Sequence, residues 1–302
     1  MDKIGLVTIT YNSANFLRSF LDCVYKQTYS NFILYVIDNA SVDATLSVFE
    51  NEIDGRLRVV RNSINLGVAK ANNQGIRQAI SDGCDQVLII NNDVEFESTL
   101  IERLIKVQIE NKCSLVTPKM MYYDSPNHIW YAGSWFVKKK GYLPLHRGMK
   151  ELDEGQYDKI IDVEYAPTCC LLVKKEVFQD VGLMDEKYFV YFDDTDFSYR
   201  VWKDGRHRMI YYPNVEFHHK VGSSTKSFEK SKNKIYRGDF FLHQNIKNHV
   251  YFLKKIGSML SYTFIVWLFF KNNIRFVVNP HIRKNISTFL LINKSYFQGL
   301  IK

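Results

Sequence analysis

The feature that most constrains this chain is an alternation. Through its first ~95 residues, short unbroken apolar runs take turns with segments of helical period. The apolar runs are 4–9 (IGLVTI), 32–37 (FILYVI), 57–60 and 86–90 (QVLII). Strands that are apolar throughout, rather than at every second residue, belong in a sheet covered on both faces. Between them, Phe16, Leu17, Phe20, Leu21 and Val24 recur at helical spacing within 14–25, and 45–52 and 68–81 read as two more helices. This succession predicts a parallel, doubly wound α/β sheet flanked by helices. Ligands of such sheets sit beyond the carboxyl ends of the strands. The polar residues at those ends are Thr10 to Asn12, Asp38, and Asn91 to Asp93, so three strand ends converge on one edge.

Beyond this the pattern loosens. Residues 119–164 contain Pro126, Gly133, Gly141, Pro144 and Gly148 and read as long loops and short strands over the sheet. A strand is expected at 169–173 and a helix at 175–181. The acidic cluster Asp193, Asp194, Asp196 leads into a helix at 197–204 that stops at Gly205. A last strand, 208–212, reaches Pro213 and the pair His218-His219.

Residues 225–302 carry fourteen Lys or Arg against Glu229 and Asp239. The whole chain is only +8, so the first 224 residues are net acidic. A basic, aromatic tail on an acidic body suits an anionic surface, lipid or nucleic acid; a merely solvated tail is the plainer alternative. Within it, 256–270 is apolar and flanked by Lys254, Lys255, Lys271 and Arg275. Its length falls short of the ~20 residues that cross a bilayer. It reads either as a buried core helix or as an interfacial helix on anionic lipid.

The hydrophobic fraction of 46% and charged fraction of 24% exclude a disordered chain. Five cysteines without a CxxC pair argue against a disulfide framework or structural zinc, and for reduced thiols in a cytosolic protein. The N-terminus runs straight into a strand, with no signal-peptide pattern. No phosphate-loop, GxGxxG, GxSxG or HExxH string occurs, so ATP hydrolysis and a serine nucleophile lack support.

Each candidate residue has a functional and a structural reading. Asp38, at a strand end, can accept an N–H from a nucleotide base, or simply form the turn; Tyr11 beside it can stack on that base. Asp93 in Asn91-Asn92-Asp93 offers a carboxylate to a hard cation, and Asn91 can bond a ribose hydroxyl or phosphate; such a string is also a common loop. Crowding of Asp193, Asp194 and Asp196 raises a carboxyl pKa and suits a general base, or caps a helix. His218 or His219 can bind a transition metal or be structural.

Taken in order, VTITYNS (7–13), VIDNASVDAT (36–45), NLGVAKANNQGI (65–76), LIINNDV (88–94), VGLMDEKYFVYFDDTDFSYRVWKDG (181–205) and PNVEFHHKVGSS (213–224) resemble the inverting nucleotide-sugar glycosyltransferases of family 2. They look most like the rhamnosyltransferase-type branch. The resemblance implies a GT-A fold, Rossmann-like with a mostly parallel sheet, over 1–224, and a helical, basic and aromatic extension over 225–302. It places Tyr11 and Asp38 at the base, and Asn65, Gly67 and Asn73 along the nucleotide and diphosphate. It makes Asp93 and His219 ligands of Mn2+ or Mg2+, with His218 as fallback, and Asp194 the catalytic base beside Asp193. Asn91 stands where the family's metal motif has its first acid. Pro167-Thr168-Cys169-Cys170 departs from the small residues usual on the acceptor side.

The implied donor is a nucleoside-diphosphate sugar, dTDP-rhamnose first and UDP-sugars next. The implied acceptor is a glycan or polyprenyl-linked sugar, and the implied place is the cytoplasm, on the inner face of the cell membrane. Three rival readings are a nucleic-acid binder using the basic tail, a nucleotidyltransferase, and a catalytically inactive sugar-nucleotide binder. The tail's long apolar run fits nucleic acid poorly, and no Gly-rich basic loop follows the first strand.

Overall fold

The computed structural model describes residues 1–50, 52, 54–220, 238–278 and 286–302. Along the chain the strands are β1 (Ile4–Thr10), β2 (Phe32–Asp38), β3 (Leu57–Arg61), β4 (Gln86–Ile90), β5 (Val94–Phe96), β6 (Leu115–Pro118) and β7 (Met120–Tyr122). They continue with β8 (Ile129–Tyr131), β9 (Ser134–Val137), β10 (Leu143–His146), β11 (Ile161–Asp162), β12 (Cys170–Lys174), β13 (Met209–Tyr212) and β14 (Phe217–His219). The helices of the body are α1 (Ala14–Tyr25), α2 (Val68–Ser81), α3 (Leu100–Glu110), α4 (Lys175–Val181) and α5 (Asp193–Asp204).

Eight strands form one sheet in the order β11-β13-β6-β12-β4-β1-β2-β3. The four strands read from the alternating segment are parallel where they pair, β4 to β1, β1 to β2 and β2 to β3. The later β12 is inserted antiparallel to both β4 and β6. β1, β2 and β4 are buried along nearly their whole length, which is why their sequences do not alternate. The irregular 119–164 region supplies most of two small sheets, β5-β14-β7-β8 and the β9–β10 hairpin.

α2 lies close on β1 because two glycines permit it. A Cβ on Gly75 would stand 2.4 Å from Val7 Cγ1, and one on Gly5 would stand 2.4 Å from Ala79 Cβ. The two glycines thus face each other's elements across one contact.

Three boundaries differ from the expectations above. The helix expected at 45–52 contracts to a 3₁₀ turn, Leu46–Phe49, in which Phe49 alone is buried; one buried side chain is too little apolar face to hold a longer helix. α5 begins at Asp193 rather than 197, so the acidic residues form its first turn, where the positive end of the helix dipole favours them. The apolar run at 256–270 is cut at Gly257, which terminates α6 (Asp239–Ile256) at φ 66°. α7 (Met259–Val278) and α8 (Ile286–Ile301) follow.

α6 is fastened to the body by polar contacts. Lys255 Nζ reaches Asp185 at 2.7 Å and Asp196 at 2.6 Å. Asn248 Nδ2 donates to the carbonyls of Val190 and Tyr191 at 2.9 and 3.0 Å. α7 has one buried side and one exposed apolar side. Ser261, Ile265 and Leu268 are buried, whereas Val266, Trp267, Phe270 and Ile274 are exposed. Among the described residues, no helix is long and apolar enough to cross a membrane. The boundary expected at 224/225 falls outside the described residues.

Gly75→Ala tests the α2–β1 contact. Alanine raises helix propensity by ~1 kcal/mol, but forcing a methyl onto a β-branched core side chain costs about 1–3 kcal/mol. We expect a net loss of about 1–2 kcal/mol in denaturant unfolding. An unchanged or raised midpoint would contradict the packing described.

Candidate active site

The site begins where β1, β2 and β4 end. The register aligns Thr10 with Asp38. Asn92 Nδ2 donates to the Ile9 carbonyl at 2.8 Å and ties the end of β4 to that of β1. The loop after β1 is locked to the loop after β2: the Asn12 amide donates to Ser41 Oγ at 2.9 Å, and the Ser13 amide to Thr45 Oγ1 at 2.7 Å. Asn12 holds φ 52°, an unfavourable conformation that such clamping makes tolerable. Tyr11, between these anchors, lines the cleft.

Asp38 does not line it. Its carboxylate accepts from Thr10 Oγ1 at 2.9 Å and from the Ser41 amide at 3.1 Å, and the residue is 1% exposed. The side chain is turned into the turn it stabilises, behind the wall carrying Tyr11. Its neighbour Asn39 faces the cleft instead. Asn39 donates to Asn65 Oδ1 at 2.9 Å and to the Gly67 carbonyl at 3.2 Å. Asn65 in turn accepts from the Gly67 amide at 2.9 Å. Gly67 has φ 83°, and a Cβ there would lie 2.4 Å from the Phe189 carbonyl oxygen. Glycine is therefore required for the Val68 amide to reach that oxygen at 2.6 Å.

Asn73 also differs from expectation. It is 1% exposed on the inner face of α2. Its amide donates to the Met184 carbonyl at 2.8 Å and to Glu186 at 3.0 Å, and its oxygen accepts from the Met184 amide at 3.0 Å. It fixes the loop that carries Phe189 and stays out of the cleft.

On the opposite side, Asn91 and Asp93 from the end of β4 meet His219 from β14. Asp93 Oδ1 stands 3.5 Å from His219 Nε2, and both residues are buried. The Trp130 ring packs edge-on against the imidazole, centroids 4.6 Å apart. Burial alone would depress the His219 pKa, but the adjacent Cys169 and Asp93 hold it up at about 10. His218 points away and bonds Glu216 at 3.1 Å, which settles the register in favour of His219 facing the cleft.

With ligand bonds of about 2.0–2.2 Å, neighbouring donors on one octahedral cation stand roughly 3 Å apart, so a carboxylate oxygen and an imidazole nitrogen 3.5 Å apart fit the pair expected for Mn2+ or Mg2+. Among the described residues no group of three or more His, Cys, Asp or Glu gathers to hold a metal. Such an ion would thus need oxygens from a ligand or water.

Asp193 and Asp194 enter from the third side, at the start of α5. The turn before them places Tyr191 and Phe192 at φ 64° and 71°, strained for residues with side chains. Asp194 accepts from the Tyr165 hydroxyl at 2.8 Å and from the Thr195 amide at 2.6 Å. Burial pushes both carboxyls above the usual range, and for Asp193 the charge of Asp194 adds to it. Asp196 turns the other way, to Arg200 at 2.8 Å and to Lys255. The cluster therefore divides into two site residues and one anchor.

Together these walls enclose a cleft of about 580 Å³. It brings together Tyr11, Asn65, Gly67, Asn91, Asp93, Asp193, Asp194 and His219. Pro167, Thr168 and Cys169 line it too. Asn39, Trp130 and Tyr165 are cleft residues that the sequence reading did not single out. Asn39 adjoins Asp38 and was legible as a strand-end residue; the other two lie where no periodicity marks them.

Comparison with known proteins places these features. The family model "Glycosyl transferase family 2" matches residues 6–182. The chain is similar to a low-salt glycan biosynthesis hexosyltransferase, Agl10, of Haloferax volcanii, 21% identical over 68% of this chain and 63% of the relative's own length. It is similar to the N-acetylglucosaminyl-diphospho-decaprenol L-rhamnosyltransferase of Mycobacterium tuberculosis, 24% identical over 74% of this chain and 78% of the relative. Among solved structures it resembles the mannosyltransferase PcManGT of Pyrobaculum calidifontis, in complex with GDP-Man and Mn2+. The TM-score there is 0.57 at 15% identity, over 100% of this chain and 86% of that one. The shared fold is GT-A.

The buried acid pair yields a pH test. A carboxyl raised in the folded state above its unfolded value of about 3.9 favours folding below that pH. This contribution is lost as pH rises through the raised pKa. Asp193→Asn removes the buried carboxyl that must ionise as pH rises. Its stability relative to the parent should therefore grow between pH 5 and pH 9, by on the order of 1–2 kcal/mol in urea unfolding. A difference that stayed flat or shrank would contradict the burial described.

Proposed function

The chain belongs to glycosyl transferase family 2, and we propose that its cleft transfers a sugar from a nucleoside-diphosphate donor to an acceptor hydroxyl by one inverting displacement. The observation that carries this reading is a juxtaposition. A carboxylate with a raised pKa, Asp194, shares one cleft with the Asp93–His219 pair that fits a cation-bound diphosphate.

Asp194 takes the proton of the acceptor hydroxyl as that oxygen bonds to the anomeric carbon. The bond from that carbon to the diphosphate oxygen breaks on the opposite face, and the nucleoside diphosphate leaves with the electron pair. No covalent enzyme intermediate is needed. Tyr165 and Thr195 hold Asp194 in place by donating to it. Their bonds also favour the ionised form, which the base must adopt before it can act. A divalent cation held by Asp93 and His219, Mn2+ or Mg2+, would offset the charge gathering on the departing diphosphate. Tyr11 stacks on the nucleotide base, and Asn65, Gly67 and Asn91 meet the ribose and phosphates. Asp38 and Asn73 act one layer back: Asp38 sets the loop bearing Tyr11, and Asn73 sets the one bearing Phe189.

We assign dTDP-rhamnose as the first donor to test and UDP-sugars as the next. The acceptor is read as a glycan or a lipid-linked sugar, and the name of the mycobacterial relative, with its diphospho-decaprenol acceptor, supports the second. Residues 1–224 are the catalytic unit in this proposal. Residues 225–302 are an extension that keeps the protein peripheral on the inner face of the membrane.

Turnover of a panel of nucleotide sugars with Mn2+ tests the reading. Asp194→Asn should lower kcat by on the order of 10²–10⁴-fold and leave nucleotide affinity nearly unchanged. Near-full activity in that variant would remove Asp194 as the base. Asp38→Ala should raise the donor KM through its loop, and an unchanged KM would reject that role.

A further inference from the structure

A second groove, of about 650 Å³, opens where the catalytic body meets the C-terminal helices. Its walls differ in kind. One is a stripe of α7 built from Phe264, Trp267, Leu268 and Lys271, residues that share a helix face by their spacing. The other is the turn between β9 and β10, which carries Lys139 and Lys140. The groove holds three lysines and no acid. Among the described residues no acidic side chain pairs with Lys139, Lys140 or Lys271. Lys271 instead rests over the Trp267 ring, 4.5 Å from its centroid.

The basic turn is fixed in place. His249 on α6 bonds the Gly141 carbonyl at 2.8 Å, and Tyr142 OH reaches Ser258 Oγ at 3.0 Å. A Cβ on residue 141 would come within 3.0–3.3 Å of His249 and Phe264, so glycine lets the turn approach both helices. Burial keeps His249 neutral, with a pKa lowered to about 4, so it adds no charge to the groove. Leu143, just beyond the turn, lines this groove and the catalytic cleft alike. The two are therefore neighbours across one residue.

We propose that this groove is the seat of the acceptor's anchor, a prenyl-type chain joined to a diphosphate. Lys139, Lys140 and Lys271 take the diphosphate, and Phe264, Trp267 and Leu268 take the first isoprene units. The sugar carried by the diphosphate then extends past Leu143 toward Asp194. A free anion would use the lysines and waste the apolar wall; an uncharged lipid would leave three cations unmatched. A diphosphate-linked lipid uses both walls at once. Beyond the groove, the exposed Val266, Phe270 and Ile274 continue an apolar surface along α7, which suits a chain that remains partly in a bilayer. This inference rests on the transferase reading above, with its lipid-linked acceptor, and it adds the site that holds that acceptor's anchor.

The test uses the full chain, with farnesyl diphosphate, inorganic pyrophosphate and farnesol as probes, followed by tryptophan fluorescence. Farnesyl diphosphate should bind at least tenfold more tightly than either of the other two. The triple variant Lys139→Ala, Lys140→Ala, Lys271→Ala should lose at least tenfold in that affinity, and Phe264→Ser should weaken it while leaving pyrophosphate binding unchanged. Affinity for UDP or dTDP with Mn2+ should stay at the parent level in every variant. Equal binding of farnesyl diphosphate by the triple variant would overturn the proposal. So would a triple variant that loses only its attachment to phosphatidylglycerol vesicles, since the surface would then be a bilayer contact. If farnesyl diphosphate binds as expected but no nucleotide sugar does, the transferase reading fails while the groove assignment survives.

Discussion

Everything in the site depends on the parallel register of β1, β2 and β4. Because β1 pairs with both neighbours in one direction, three chain segments end at one level and release their polar residues on one edge. Asn92 then bonds back to Ile9, and Thr10 bonds across to Asp38, so the edge is cross-braced rather than loose. A parallel sheet requires a crossover after each strand, and the crossover helices cover its faces. The α2–β1 contact through Gly75 and Gly5 is that cover at its closest. The same architecture that demands apolar strands therefore assembles a polar cleft at their ends.

How much of this was legible follows from what each residue depends on. The strand-end residues could be read because order and direction in a parallel sheet place them whatever their side chains do. The orientation of a side chain could not be read in the same way. Asp38 turns inward because Ser41 and Thr10 offer it donors, and Asn73 does so because Met184, far along the chain, presents both a donor and an acceptor. Trp130 and Tyr165 come from a region without periodicity, where sequence carries little about which side chain faces where. The acids at 193–196 were legible as a cluster. Their division into two cleft residues and one anchor depends on Lys255, which arrives from a helix near the other end of the chain.

Lys255 also shows why the C-terminal helices belong in the account of the site. By pairing with Asp196, as Arg200 also does, it leaves Asp193 and Asp194 as the acids that face the cleft. The nearby bonds of Asn248 to the backbone of Val190 and Tyr191 hold the strained turn that aims them. Strain of this kind persists only where surrounding contacts over-determine it. The basic tail read from composition is thus partly structural: among its described residues Lys255 anchors α6 to the body, while Lys271 faces the groove beside the cleft.

The central claim is that one carboxylate on one face of the sugar activates the acceptor while the diphosphate leaves from the other. The stereochemistry of the new bond tests it most directly. With whichever nucleotide sugar the protein turns over, proton NMR of the isolated product gives the anomeric configuration. The account predicts a configuration opposite to that of the donor. Retention would contradict it, since retention requires either a second displacement or attack from the face the diphosphate leaves.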